Sequence, residues 1–334
     1  LTLDVLIVSL GSTGGLRAAD DELLGSLRRA GASAAIVCPE QPSPVRTLML
    51  TDLRWAYATR RAVTAELRRT RARALIYSTT TAALLWPRPG AIRFDAPAAA
   101  NRLGRHGLWQ RPLERRRLRQ APLWLPQSAG ALAELPGGVR GTNALVLPVP
   151  VEPSAASTGE RDIAAITYAA NPAKKGLDRI LAAWRRSRKA EEELFVAGVD
   201  ERELRELGYA LPAPGVRVPG KLDGGDYRAL LRRARVFVCA ARREDYGIAQ
   251  LEALADGCVL VTTAAPGPYV ALALARSLDA RVVGDDLAAA LRVALDDPAP
   301  GYAERALRLL APFRRAAVDR VVAEELLPRL LVDG

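Results

Sequence analysis

The chain has 334 residues, 49% of them apolar, and 48 Lys and Arg against 37 Asp and Glu give a formal net charge of +11. That much apolar sequence excludes general disorder, and since one core rarely grows past about 250–300 residues, two domains are expected. His106 is the sole histidine, which argues against a zinc site, and only Lys174, Lys175, Lys189 and Lys221 are lysines.

So arginine-heavy a charge reads as coding bias in a GC-rich, bacterial genome as much as a nucleic-acid surface. No helix-turn-helix, zinc-finger or aromatic RNP-like pattern accompanies it, so nucleic acid is not the expected partner. Cys38, Cys239 and Cys258 lie in or beside apolar runs without metal-ligand spacing or an even disulfide framework, which points to a reducing cytoplasm. No stretch approaches the roughly 18 apolar residues of a membrane-crossing helix, and no signal-peptide pattern leads from Leu1.

In chain order, residues 4–10 form a near-continuous apolar strand, as expected when both faces of a sheet are covered. Gly11-Ser12-Thr13-Gly14-Gly15 follows as a loop, and an amphipathic helix is predicted over 20–30. A glycine-rich turn lets backbone approach a phosphate or sugar closely, but this one is neither a Walker A nor a full G-x-G-x-x-G, and a plain tight turn fits equally well. Strands over 33–38, 74–77, 91–94, 121–125 and 144–150, with a helix over 51–71, continue the alternation. Asp95 sits at the tip of the 91–94 strand, where it could hold a ligand hydroxyl, act as a weak base or cap the turn before Pro97.

The most basic segment carries Arg102, Arg105, Arg111, Arg115, Arg116, Arg117 and Arg119 against Glu114. It reads as a solvated helix face or as a patch for an anionic lipid headgroup or phosphorylated acceptor, which would make the protein peripheral to a membrane. His106, inside it, reads as a surface residue. Val151-Glu152-Pro153 opens a linker-like stretch to Gly159, and the domain boundary is placed at 150/151.

A second α/β unit follows, with strands over 162–168, 193–199 and 216–222. Its first loop, Asn171-Pro172-Ala173-Lys174-Lys175-Gly176, puts lysines at a strand's carboxyl end, suited to a diphosphate. The richest stretch is 234–269. A buried strand leads into Arg242-Arg243-Glu244-Asp245-Tyr246-Gly247, a helix over 248–255, an Asp256-Gly257 stop and a strand over 258–262. The loop would aim backbone N–H groups of Tyr246, Gly247 and Ile248 and a helix dipole at one point, a natural phosphate site. Glu252, one to two turns in, could accept from vicinal hydroxyls. Equally, Glu244 could cap the helix and Glu252 face solvent. A strand over 280–283 and helices over 302–310 and 313–331 finish the chain.

Glu244-x7-Glu252 followed by Ala253-Leu254-Ala255-Asp256-Gly257 resembles the signature of retaining family-4 glycosyltransferases (glycosyl transferases group 1) of the GT-B fold. Asp226-Tyr227-Arg228-Ala229-Leu230-Leu231 before it, and Lys174-Lys175-Gly176-Leu177-Asp178 upstream, are similar to that family's approach and donor-site segments, in the same order and spacing. The resemblance covers roughly residues 145–270. It implies two Rossmann-like domains facing each other across a cleft: 1–150 binding the acceptor, 151–312 binding the donor, and a last helix, 313–334, packing back on the first. It implies transfer of a sugar from a nucleotide-diphosphate donor to a sugar, lipid-linked or natural-product acceptor with retention, and needs neither a metal nor another cofactor.

By that resemblance Glu244, Lys175 and Asp95 are the catalytic candidates, although the family often has a histidine where Asp95 stands. The donor would be held by Gly14, Gly15, Lys174, Lys221, Leu222, Tyr246, Gly247, Ile248 and Glu252. The arginine that the family usually carries five residues before its lysine is Ala170 here. The competing readings are a non-catalytic sugar-nucleotide-binding scaffold and another GT-B activity such as an epimerase.

Overall fold

The computed structural model describes residues 2–43, 45, 47–102, 104–137, 143–155 and 161–331. The expected linker residues 156–160 and the side chain of His106 lie outside them. The chain divides into two units, Leu1–Pro150 together with Phe313–Gly334, and Val151–Pro312.

The first unit holds a parallel sheet of β1 (Thr2–Val8), β2 (Ala34–Val37), β3 (Arg71–Tyr77), β4 (Ala91–Phe94) and β5 (Trp124–Pro126), in the order β2-β1-β3-β4-β5. The uninterrupted apolar run of β1 has a direct cause. Leu6 and Val8 bury into one cluster with Tyr77 and Phe94, while Val5 and Ile7 bury into another with Leu23 and Leu27. Each face of the strand meets its own layer, so alternation is lost. The second cluster is completed by Val318, Val322 and Leu326 from the chain's end, each worth about 1.5–3 kcal/mol when fully buried. Arg29–Asp319 at 2.6 Å and Arg315–Glu22 at 2.9 Å flank that contact. The closing helix widens to a π turn over Val322–Leu326 just ahead of Pro328, which has no N–H to give the Glu324 carbonyl.

The second unit repeats the design with β6 (Ile163–Tyr168), β7 (Leu194–Ala197), β8 (Val216–Gly220), β9 (Ala234–Cys239) and β10 (Val259–Thr262), in the order β10-β9-β6-β7-β8, all parallel. From β6 the chain winds outward one way through β7 and β8, then returns to β9 and winds the other way. The connections leaving β6 and β9 therefore run in opposite directions from the carboxyl edge, which is where open α/β sheets bind ligands. In the first unit the same reversal falls between β1 and β3.

Three expected elements differ. The first helix runs Gly14–Arg29, six residues earlier than periodicity suggested, because Thr13 accepts the Leu16 N–H at 3.2 Å and caps it. Residues 144–150 contribute one bridge, Trp124 to Ala144, in place of a strand, and Ala280–Val282 is a 3-10 turn with one bridge from Val283 to Thr262. Among the described residues no helix is long and apolar enough to cross a membrane.

Candidate functional site

The loops after β6 and β9 interlock. Asn171 caps the turn Pro172–Lys175 by accepting the Lys174 N–H at 3.0 Å, and the Lys174 carbonyl accepts the Arg242 N–H at 3.0 Å. Gly176 has φ +66°, and a Cβ there would lie 2.0 Å from the Ala240 carbonyl oxygen, so only glycine fits. On the other loop the Glu244 N–H donates to the Pro266 carbonyl at 3.0 Å, and the Val270 N–H to the Tyr246 carbonyl at 3.2 Å. Gly247, at φ +90°, starts the Ile248–Ala255 helix, and a Cβ on it would meet the Tyr269 ring at 2.8 Å. No side chain caps that helix, and the N–H groups of Ile248, Ala249 and Gln250 have no acceptor among the described residues. They form the positive end of a helix dipole at the reversal of strand order.

Here the ion pair sits. Lys175 Nζ lies 2.7 Å from Glu244 Oε2, and Gln250 Nε2 donates to the same oxygen at 3.0 Å. Both bonds land on Oε2, and Oε1 has no partner among the described residues. Glu244 and Gln250 are buried, so the carboxylate is held by two donors with little water to move it. Next to it Asp245 accepts from Arg243 Nε at 2.6 Å, with Lys174 Nζ at 3.7 Å.

Glu252 stands one to two turns into the helix. Burial raises its carboxyl above the ordinary value of 4.5, against the opposing pull of Arg228 at 3.6 Å. Lys221 and Leu222 follow β8. The Lys221 ammonium is paired with Glu203 at 2.7 Å and Asp200 at 3.5 Å, and the bond to Glu203 raises its pKa. Ala170 is exposed, and two arginines of this region are engaged: Arg179 donates to the Ala240 carbonyl, and Arg242 to Asp178 at 2.8 Å.

In the first unit Gly14 and Gly15 belong to the first turn of the Gly14–Arg29 helix and not to a loop, a correction that follows from the Thr13 cap. Space is open around both, since a Cβ on either would meet nothing within 4 Å. Asp95 is exposed beyond β4, and its carboxylate accepts the Ala96 N–H at 2.8 Å. Glu114, buried and with its carboxyl pushed up by burial, accepts the Ala98 N–H at 3.0 and 2.8 Å and so fixes the next turn.

Of the basic segment, Arg102 is bound to Asp52 at 2.7 Å, Arg111 to the Gly104 carbonyl at 2.8 Å and Arg117 to the Leu84 carbonyl at 2.9 Å. Arg105, Arg115, Arg116 and Arg119 are exposed, as is Leu108 at 62%.

Sequence reasoning missed the roles of Gln250 and Arg228 and the Asp20–Arg93 ion pair, whose side chains are each 1% exposed and 3.1 Å apart. Two of these left a signal. Gln250 interrupts an apolar helix face, and Arg93 interrupts an apolar strand, where a charge requires a partner.

Residues 161–311 match the family described as Glycosyl transferases group 1. That stretch, 151 of the 334 residues, is similar to a group 1 glycosyltransferase domain. No curated protein matches the chain in sequence. Among solved structures, the chain is similar to WaaG, a glycosyltransferase involved in lipopolysaccharide biosynthesis, at 16% identity and TM-score 0.70, with 100% of each chain covered. It is also similar to Anabaena Alr3699/HepE, solved with UDP and glucose, at 13% identity and TM-score 0.68 over 97% of this chain and 99% of that one. The trehalose-6-phosphate synthase OtsA gives 13% identity and TM-score 0.68 over 99% of both chains. At such identities the likeness is one of fold, and that fold is the GT-B pair of Rossmann-like domains. The matched stretch spans β6 to β10 and so contains Lys174, Lys175, Glu244 and Glu252.

Proposed function

We propose that the protein is a retaining glycosyltransferase that moves a sugar from a nucleotide-diphosphate donor to an acceptor hydroxyl without a metal or other cofactor. The observation that carries this reading is the Lys175–Glu244–Gln250 cluster beside the uncapped start of the Ile248–Ala255 helix. Lys175, Lys174 and the N–H groups at that helix start would meet the diphosphate as it departs, Lys174 serving as second cation where Ala170 supplies none. Glu244 Oε1 would accept from a donor-sugar hydroxyl and Glu252 from the ribose. The backbone at Lys221 and Leu222 would lie against the base, and the Gly14–Gly15 turn would admit the donor closely.

In such a transfer the bond from the anomeric carbon to the diphosphate oxygen breaks and the acceptor oxygen bonds to that carbon on the same face. The acceptor's proton passes to the leaving diphosphate, so no separate base is required, and Asp95 would hold the acceptor hydroxyl. The similar structure of Anabaena Alr3699/HepE, solved with UDP and glucose, supports this donor class. The exposed arginines and Leu108 suit a lipid-linked, anionic acceptor.

The test is calorimetry and thermal shift with UDP, GDP, dTDP and ADP on wild type and Glu252→Ala. One nucleotide binding at micromolar affinity, about −8 kcal/mol, and weakened by the substitution, supports the donor site. No binding overturns it. Binding without donor hydrolysis or transfer would instead favour a non-catalytic sugar-nucleotide protein, a reading that the exposed Ala170 allows.

A further inference from the structure

The Gly224–Arg233 helix sends Arg228 toward the Ile248–Ala255 helix, and each guanidinium nitrogen has a separate oxygen. Nε donates to Asp256 Oδ2 at 2.5 Å, Nη2 to the Glu152 carbonyl at 2.7 Å, and Nη1 lies 3.6 Å from Glu252 Oε1. Asp256 is itself immobile. Its side chain is 0% exposed, and its other oxygen accepts the Ser154 N–H at 2.8 Å and the Ser154 hydroxyl at 2.9 Å. A guanidinium is a rigid planar fork, so fixing two of its nitrogens fixes the direction of the third.

That third nitrogen is too far from Glu252 for a hydrogen bond. Among the described residues the Glu252 carboxylate receives no hydrogen bond, although it is only partly open to solvent. A shielded carboxylate normally gathers donors from the protein. This one is turned by charge and left with its acceptor sites unused, the arrangement that suits a ligand bringing two adjacent hydroxyl donors.

We propose that Arg228, anchored by Asp256, is a positioning residue that orients Glu252 to read the ribose diol of the donor nucleotide. The inference rests on the reading above that Glu252 takes the ribose.

The experiment measures affinities for UDP, GDP and ADP and for their 2′-deoxy counterparts on wild type, Glu252→Ala, Arg228→Met, Arg228→Lys and Asp256→Asn. Wild type should prefer the ribonucleotide by about tenfold or more, since a hydrogen bond to a charged acceptor is lost in the deoxy form. Arg228→Met should bring the ratio close to one while changing affinity for the deoxynucleotide by about twofold at most, and Arg228→Lys should recover part of the preference. A merely structural Arg228 would weaken both ligands alike and leave the ratio intact, which overturns the proposal. Should Arg228→Met not fold, Arg228→Lys and Asp256→Asn carry the same comparison, since each loosens the fork without removing the cation. Glu252→Ala separates the two levels. An unchanged ratio in that variant means that Glu252 does not take the ribose, whereas a lost ratio there with a retained one in the Arg228 variants sinks only the positioning role. No binding by wild type to any of the six refutes the donor site itself.

Discussion

A carboxylate held largely out of water, as Glu252 is, binds its proton more tightly in the folded protein than in the unfolded chain, because burial raises its pKa above 4.5. Protonation therefore favours the fold. That contribution is complete below the unfolded value and is lost as the pH rises through the folded one. On the proposed reading ligand binding runs the other way, since accepting ribose hydroxyls calls for the ionised form. Nucleotide affinity followed by calorimetry from about pH 8 to pH 4 should fall through a midpoint above 4.5. Glu252→Gln should abolish that step and raise the melting temperature at neutral pH, as buried charge kept for function is costly. A flat profile in wild type would remove Glu252 from the donor site.

Lys175 has the opposite character, because Glu244 depends on it. With Glu244 only 8% exposed at the side chain, Lys175→Ala leaves a shielded carboxylate short of its cation. The expected cost is about 1–3 kcal/mol in denaturant unfolding and a fall of about 10²–10³ in transfer rate. Full activity in a Lys175→Ala protein would show that the leaving group is met elsewhere.

At the scale of elements, the two ligand-side loops are positioned by glycines at steric limits. Gly176→Ala must push its methyl against the Ala240 carbonyl oxygen, backbone on both sides, while Gly247→Ala meets the edge of the Tyr269 ring. Both residues have φ in the left-handed region, where a Cβ costs about 1–2 kcal/mol before any overlap. Gly176→Ala should therefore lower stability more than Gly247→Ala in a melting series, and both should weaken nucleotide binding. Equal, negligible shifts would mean that the loops move freely, contrary to the interlock.

These same elements show what could be read from the chain. The Ile248–Ala255 helix has the bounds that its Gly247 start and Asp256-Gly257 stop predict, since both signals are local. The Gly14–Arg29 helix was read too short because hydrophobic periodicity begins later than the Thr13 cap does. The turn at Ala280–Val282 looked like a strand because a short apolar run carries no period of its own. The pairing of Arg228 with Asp256 was beyond reach, since they meet across 28 residues of sequence and neither position signals the other.

The whole molecule carries its +11 mostly as arginine, and the structure sorts that charge by use. Arg93 is sealed in the core against Asp20, while Arg102, Arg111 and Arg117 hold backbone and Asp52 in place. Those guanidinium groups are committed to the protein itself. Arg105, Arg115, Arg116 and Arg119 are exposed on the same segment as Leu108, so the basic stretch is half scaffold and half surface. Leu50, Leu53 and Tyr57, at i, i+3 and i+7 of the Leu48–Arg69 helix, are exposed as well. Apolar side chains beside arginines match an anionic lipid surface better than a nucleic acid, whose backbone offers such side chains nothing. Each arginine near a charged bilayer adds about 1 kcal/mol. The protein should therefore sediment with phosphatidylglycerol-containing vesicles and not with phosphatidylcholine alone, and Arg115→Ser with Arg116→Ser should weaken that binding about tenfold or more. High salt should release the protein, because the Debye length shrinks below the distance from surface to headgroup. Equal binding to neutral vesicles, or salt-resistant binding that the double variant leaves unchanged, would assign these arginines to solvent and require a different approach for the acceptor.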